Sequence, residues 1–189
     1  AITNDANAAA IGEMTYGAAR GLKDFIMITL GTGVGSGIVI NGQLVYGHDG
    51  FAGELGHTIV KRNNGRLCGC GRTGCLEAYC SATGVARTAR EFLEIRKEDS
   101  LLRELPIEEI TSKDVFDAAN AGDQLAKDVF EYTGKLLGET FCDFTVFSSP
   151  QAIILFGGLA KSGELLMKPL RNAMEKNMMG IFKGKVKVL

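Results

Sequence analysis

The sequence predicts an α/β fold built on a mixed sheet, and three observations lead there. Two short apolar runs, Phe25–Leu30 (FIMITL) and Ala152–Phe156 (AIILF), lack polar alternation, as strands buried on both faces do. Helix-patterned segments flank them. Asn41-Gly42 follows the first run at a distance that suits the tight turn of an antiparallel hairpin, so the sheet is not wholly parallel.

The elements follow in order. Asn4, Asp5 and Asn7 open an alanine-rich run to Ala19, good helix material with capping side chains at its start, so Asp5 lies near a helix N-terminus. After FIMITL the chain reads GTGVGSG, IVI, Asn41-Gly42 and QLVYG, a strand leading into a glycine-rich hairpin. The cysteine-bearing region beyond it has no clear periodicity and is expected to be a long loop. A helix is expected over 83–97, and Thr111-Ser-Lys-Asp114 forms a capping box that opens a helical stretch to about residue 147, with a break at Gly122. AIILF closes with Gly157-Gly158, a helix follows over 162–178, and the terminal KVKVL alternates like the start of a strand.

With 189 residues, 46% hydrophobic and 23% charged, the chain can bury one sizeable core, and a single domain over 1–189 is expected. Glycine is abundant at 25 residues against 3 prolines, which puts the glycines in tight turns rather than in a disordered linker. A net charge of -1 with interspersed signs gives no footprint for a nucleic acid or an anionic membrane. No apolar run approaches the ~18 residues of a spanning helix, and the first residues lack the order of a signal peptide, so a cytoplasmic location is expected. The start at Ala1 and the strand-like end suggest a piece of a longer protein.

The chemistry concentrates in GHTIVKRNNGRLCGCGRTGCLE, which holds one of the 2 histidines and three of the 5 cysteines. One residue between Cys68 and Cys70 makes a disulfide there awkward, and a cytosolic setting disfavours the others. A metal site fits better. His57, Cys68, Cys70 and Cys75, spaced H-x10-C-x-C-x4-C, make up one imidazole and three sulfurs, a common tetrahedral set for structural zinc, among glycines that let the backbone wrap an ion. The alternative is unligated thiols and a satisfied histidine, but free cysteines favour apolar segments and these sit among Gly and Arg. Cys142 reads as core; Cys80 as core or an exposed thiol. Four protein ligands leave no open position, so such a metal would brace a loop rather than activate water. That loop brings Glu54 and Glu77 towards one place, where paired carboxylates suit several hydroxyl groups, as on a sugar; solvated surface glutamates are the alternative.

TLGTGVGSG could expose backbone N–H groups to a phosphate, with hydroxyls from Thr32 and Ser36, or be a plain glycine-rich turn. ILFGGLA repeats the strand-then-glycine form, and two such loops suggest a bound nucleotide. Asp5 by itself is most simply a helix cap.

TNDANAAAIGE, TLGTGVGSGIVINGQLVYG, and GELGH with CGCGRTGCLE, in this order and at these distances, resemble the second half of a ROK-family sugar kinase. The resemblance covers nearly the whole chain. It implies an actin-like (ribonuclease-H-like) ATPase lobe with a mixed sheet and a zinc-binding loop, the N-terminal lobe being absent from this chain. It implies Asp5 as catalytic base, Asn4, Glu54, His57 and Glu77 as sugar contacts, and His57, Cys68, Cys70 and Cys75 as ligands of structural zinc. Gly31, Thr32, Gly33 and Gly35 become a phosphate loop, with Gly157 and Gly158 on the nucleotide side.

The implied reaction is transfer of the γ-phosphoryl group of ATP, with Mg2+ held mostly by ATP and water, to a hexose 6-hydroxyl. Asp5 would orient that hydroxyl and accept its proton; a loose transition state asks mainly for positioning and charge stabilisation. Glucose is the expected hexose, with N-acetylmannosamine and fructose behind it, and the protein is expected to form a homodimer or higher homo-oligomer. Without the other lobe the isolated chain is expected to be inactive. The rival is a sugar-sensing ROK transcriptional repressor, which shares this half behind a DNA-binding domain; the intact Asp5 and glycine hairpin favour the kinase.

Overall fold

The computed structural model describes residues 5–189. The chain opens with α1 (Asp5–Tyr16), β1 (Phe25–Leu30), β2 (Val34–Ile40) and the two-residue β3 (Gln43–Leu44). A long loop, stiffened by the 3-10 turn Leu55–His57, leads to α2 (Glu77–Cys80) and α3 (Ala82–Ile95). Then come α4 (Ser112–Asn120), α5 (Gln124–Ser148), β4 (Ala152–Phe156), α6 (Glu164–Asn177) and β5 (Lys187–Val188). Among the described residues no helix is long and apolar enough to cross a membrane.

The strands form one sheet in the order β3-β2-β1-β4-β5. β1 runs antiparallel to β2 and parallel to β4, so the sheet is mixed as predicted. β4 and β5 are also parallel, which makes a strand of the terminal KVKVL segment. Asn41 (φ 52°) and Gly42 (φ 75°) both take the left-handed conformation that a two-residue hairpin needs.

Strand β1 is buried on both faces. Ile26, Ile28 and Leu30 join a large core with side chains of α3, α5 and α6, while Phe25 and Met27 join a smaller one closed by α1. Period-two alternation therefore separates two cores instead of core from solvent, which is why FIMITL is apolar but for Thr29, whose hydroxyl accepts from the Gly35 N–H (3.2 Å).

Several boundaries shift for local reasons. Helix α1 stops at Tyr16 instead of Ala19, where the Glu13 carboxylate accepts from the Ala18 N–H (2.6 Å) and turns the chain. QLVYG contributes only Gln43–Leu44; after a last bond from Val45 N–H to Ile38 O (2.8 Å) the chain leaves at Gly47, φ 71°. The break at Gly122 (φ 105°) is present, and Asp123 caps α5 by accepting from the Ala126 N–H (2.9 Å). The capping box of Thr111 and Asp114 is also formed. A 3-10 turn at Leu159–Ser162 and Gly163 delay α6 to Glu164.

Helices α5 and α6 pack closely through glycines. A Cβ at Gly138 would lie 2.3 Å from Leu170 O, and one at Gly134 would lie 2.7 Å from Leu166 O. Both obstacles are backbone, so a side chain must push the helices apart. Gly138→Val should therefore lower stability by about 2 kcal/mol, because overpacking costs more than the small gain in helix propensity returns. The check is a lower urea midpoint with an unchanged slope.

Candidate functional site

Helix α1 reaches the site by small-on-small packing against β2. A Cβ at Gly35 would sit 3.1 Å from Ala6 Cβ, and one at Gly37 would sit 3.1 Å from Ala10 Cβ. The helix thus lies directly on the strand, and its first residue, Asp5, stands at the glycine end of the hairpin. There Asp5, Glu54, His57 and Glu77 line one cavity of about 500 Å³ together with Gly31, Gly33, Gly35 and Gly157. Asn4, also expected here, lies outside the described residues.

The Glu54 segment is irregular, and Ser36 of β2 pins it. The buried Ser36 hydroxyl donates to Gly53 O and accepts from the Leu55 N–H (3.0 Å), so both neighbours of Glu54 are held to the strand. The turn Leu55–His57 then presents the imidazole between two partners. His57 Nδ1 lies 3.7 Å from Cys68 Sγ, and Nε2 lies 3.9 Å from Glu54 Oε2. The second gap is too long for a direct hydrogen bond.

The ligand atoms of His57, Cys68, Cys70 and Cys75 all lie within 4.8 Å of one another. The long loop is thus more ordered than its sequence suggests. Bridges Ile59↔Cys75 and Leu67↔Thr73 zip it, and Cys68 N–H donates to Arg72 O (2.8 Å) across the CGCGR turn. All five cysteines are unpaired. Burial, and then the neighbouring Cys70 and Cys68 sulfurs, push the Cys75 thiol up to about 12, and burial is the main cause that raises Cys68. Cys70 is exposed and moves down, chiefly through the Arg72 backbone N–H. Three sulfurs crowded beside an imidazole resist ionising together without a cation, and one imidazole with three thiolates fills a tetrahedral shell. Cys80 and Cys142 are both buried, their thiols near Thr133 O and Met174 O, which makes both of them core residues.

Glu77 begins the one-turn helix α2 and touches two parts of the site. Its Oε2 accepts from the Val34 N–H (3.0 Å), and its Oε1 lies 3.5 Å from Cys68 Sγ. Gly33 leaves room for this carboxylate, since a Cβ there would sit 2.6 Å from Oε2. Loop closure predicted the approach of Glu77, but nothing in the sequence signals its bond to the hairpin.

A second cavity of about 360 Å³ shares Gly31 with the first. Thr32 and Gly158 line it, together with Ser112, Lys113 and Phe116 at the start of α4 and Lys161 in the turn before α6. Gly157 and Gly158 therefore divide between the two cavities. Sequence reasoning missed Lys113, Phe116 and Lys161; the Thr111–Asp114 capping box around the first of them signals a helix start and nothing about a ligand.

This mixed-sheet α/β arrangement, with paired cavities at its strand ends and a Cys/His cluster beside one of them, has the actin-like fold of the ROK proteins it resembles. The ROK family profile matches residues 1–189, and the chain belongs to that family. It is 44% identical over 175 residues to a glucokinase of Halalkalibacterium halodurans, an alignment that covers 92% of this chain and 53% of that protein. A crystal structure of a ROK family glucokinase from Streptomyces griseus in complex with glucose and AMPPNP superposes with a TM-score of 0.90 at 37% identity, over 100% of this chain and 62% of that one. The DNA-binding transcriptional dual regulator NagC of Escherichia coli is 29% identical over 188 residues, covering 100% of this chain and 45% of the regulator. The chain thus spans about half the length of the curated relatives it matches.

Because the Ser36 hydroxyl ties Gly53 O and the Leu55 N–H to β2, Ser36→Ala should cost about 0.5–1.5 kcal/mol by removing both bonds, the Leu55 N–H keeping only its turn bond to Gly53 O (2.8 Å). Denaturant titration gives the energy. Faster exchange of the Leu55 amide, with β1 amides unchanged, would localise it.

Proposed function

We propose that the protein carrying this chain is an ATP-dependent hexose kinase that converts glucose to glucose 6-phosphate. One observation carries the reading: the two adjoining cavities have opposite character. Among the described residues, the lining of the larger includes Asp5, Glu54, Glu77 and His57 and no lysine or arginine, whereas that of the smaller includes Lys161 and Lys113, the latter paired with Asp117 outside the lining, and no carboxylate. Carboxylates and an imidazole suit a neutral polyol, whose hydroxyls they can accept from; lysines suit a polyphosphate. The glycine hairpin between them is where a phosphoryl group would cross. The names of the relatives support the same assignment.

In this reading Asp5 orients the hexose 6-hydroxyl and takes its proton, while Asn4, Glu54, His57 and Glu77 hold the ring hydroxyls. Gly31, Thr32, Gly33 and Gly35 cradle the phosphates, with Gly157 and Gly158 beside the nucleotide. Mg2+ enters with ATP. Zinc is the proposed occupant of the Cys/His cluster, held by His57, Cys68, Cys70 and Cys75; with its four positions filled it braces the loop and takes no part in transfer. The chain acts as one lobe, in a cytoplasmic homo-oligomer that binds no nucleic acid through this segment.

A sugar-sensing repressor is the second reading, favoured by the similarity to NagC. Asp5 separates the two, because a sensor needs the hydroxyl contacts but no proton acceptor. A coupled ADP-release assay of the full-length protein across a hexose panel decides between them.

In that protein Asp5→Asn should lower kcat by about 10²–10⁴-fold while hexose affinity stays nearly constant, since the amide keeps the shape but cannot take the proton. Near-normal kcat would reduce Asp5 to a helix cap. Cys70→Ser should lower zinc content and hexose affinity together, with ATP affinity falling much less, because His57 belongs to both the cluster and the sugar cavity. Metal analysis and calorimetry on the same sample read both; a zinc-depleted, folded variant with parental hexose affinity would break the link.

A further inference from the structure

Arg66 has no part in the chemistry proposed above, yet it is buried in the middle of the cysteine-bearing loop, its side chain only 7% exposed. Guanidinium groups are rarely buried unless fully paired. This one is. Its Nε donates to Glu91 Oε1 (3.0 Å), one Nη donates to Ala78 O (3.0 Å) and Gly84 O (3.3 Å), and the other donates to Thr88 Oγ1 (3.0 Å) and Glu91 Oε2 (2.5 Å). Each of its five N–H groups has an acceptor. The guanidinium also stacks on the Tyr79 ring, 4.4 Å from its centroid, and the Arg66 backbone N–H donates to Tyr79 Oη (2.8 Å). Burial would raise the Glu91 carboxyl, but Arg66, aided by Arg87, more than offsets this and holds it below the usual range.

These contacts converge on α2. A four-residue helix cannot sustain itself, and the residue before it, Leu76, supplies no side-chain cap. Arg66 binds the carbonyl of Ala78 and stacks on Tyr79, the two residues that follow Glu77, and its other partners tie this turn to α3. The Glu77 carboxylate, in turn, reaches the hairpin at Val34.

We propose that Arg66 is a positioning residue for Glu77: it clamps the α2 turn to α3, so that the Glu77 carboxylate stands at the cavity wall within reach of a hexose and bonded to the hairpin. The clamp acts from residues other than the four that gather the Cys/His cluster. The inference rests on the proposed hexose site only for its kinetic consequence; the placement of Glu77 can be read without any activity.

The test uses Arg66→Lys, which keeps the charge but has three donors and no plane to stack. In the full-length protein it should raise the hexose KM about tenfold or more, with the ATP KM and metal content close to the parent's. The Val34 amide, which Glu77 accepts from, should exchange about tenfold faster while the Ile28 amide keeps its protection. Should Arg66→Lys fold poorly, Arg66→Met combined with Glu91→Leu removes both charges at once and is read in the same way. Unchanged hexose KM and Val34 exchange overturn the proposal, as does an equal rise in both KM values, which marks a plain fold strut. If the parent phosphorylates no hexose, the proposed function fails and Val34 exchange alone decides the role of Arg66.

Discussion

The cleft depends on the parallel pairing of β1 with β4. Thr29 lies opposite Phe156 in that register, so the two strands end side by side and both then turn through glycine, Gly31 after one and Gly157 after the other. A Cβ at Gly157 would sit 2.5 Å from Leu30 O, a contact that keeps the second turn tight against the end of the first strand. Open α/β sheets bind ligands beyond the carboxyl ends of parallel strands, because backbone and loop groups converge there while the hydrophobic strands hold them rigid. Here the convergence is shared by two cavities, and every other functional element has to be brought to it. Small residues bring α1 across β2, Ser36 brings the Glu54 segment, and the helix-start residues of α4 bring Lys113 and Phe116.

The stretch from β3 to α2 has almost no regular structure, yet it supplies Glu54, His57 and Glu77. Loops pay for ordering without the repeated bonds of a helix or sheet, so a precise loop needs a few strong cross-links. Three kinds occur. Ser36 fixes the loop at its start, the Cys/His cluster gathers its middle, and Arg66 clamps its end to α3. The links are chemically different and act on different residues, so loss of one should loosen the part it holds rather than the whole loop.

What the sequence revealed divides along a physical line. Features set by neighbours in the chain were legible: the two buried strands, the Asn41-Gly42 turn, the Thr111–Asp114 capping box and the break at Gly122 all follow from local conformational preference. The Cys/His cluster was also legible, although its ligands span residues 57–75, because such residue types are rarely gathered by chance. Lengths were less so. Helix α1 was overextended because an alanine-rich run gives no stop signal, and the Glu13 side chain that turns the chain is an ordinary helix former. Interactions between distant segments left no trace at all: Glu77 with Val34, Arg66 with Glu91, and the lysines of the smaller cavity depend on how α3, α4 and the hairpin pack. Asp5 lies between these cases, since its position at a helix start was readable but a role beyond capping came only from the family resemblance.

The opposite characters of the two cavities also limit how substrates can sit in the proposed reaction. Two unit charges of like sign 4 Å apart repel by about 4 kcal/mol at an effective dielectric constant near 20. A polyphosphate lodged among Asp5, Glu54 and Glu77 would meet several such repulsions, with no lysine or arginine among the described residues of the lining to offset them. In the proposed reaction its α- and β-phosphates would therefore lie on the side of Lys161 and of Lys113, which would have to leave Asp117, and only the terminal phosphoryl group would pass the hairpin. A neutral hexose meets no such penalty among the carboxylates, and its hydroxyl donors satisfy oxygens that would otherwise repel one another. In the proposed reaction the acidic side would therefore do more than accept from hydroxyls: it would keep the nucleotide out of the hexose position, leaving the sugar as the phosphoryl acceptor at the shared wall.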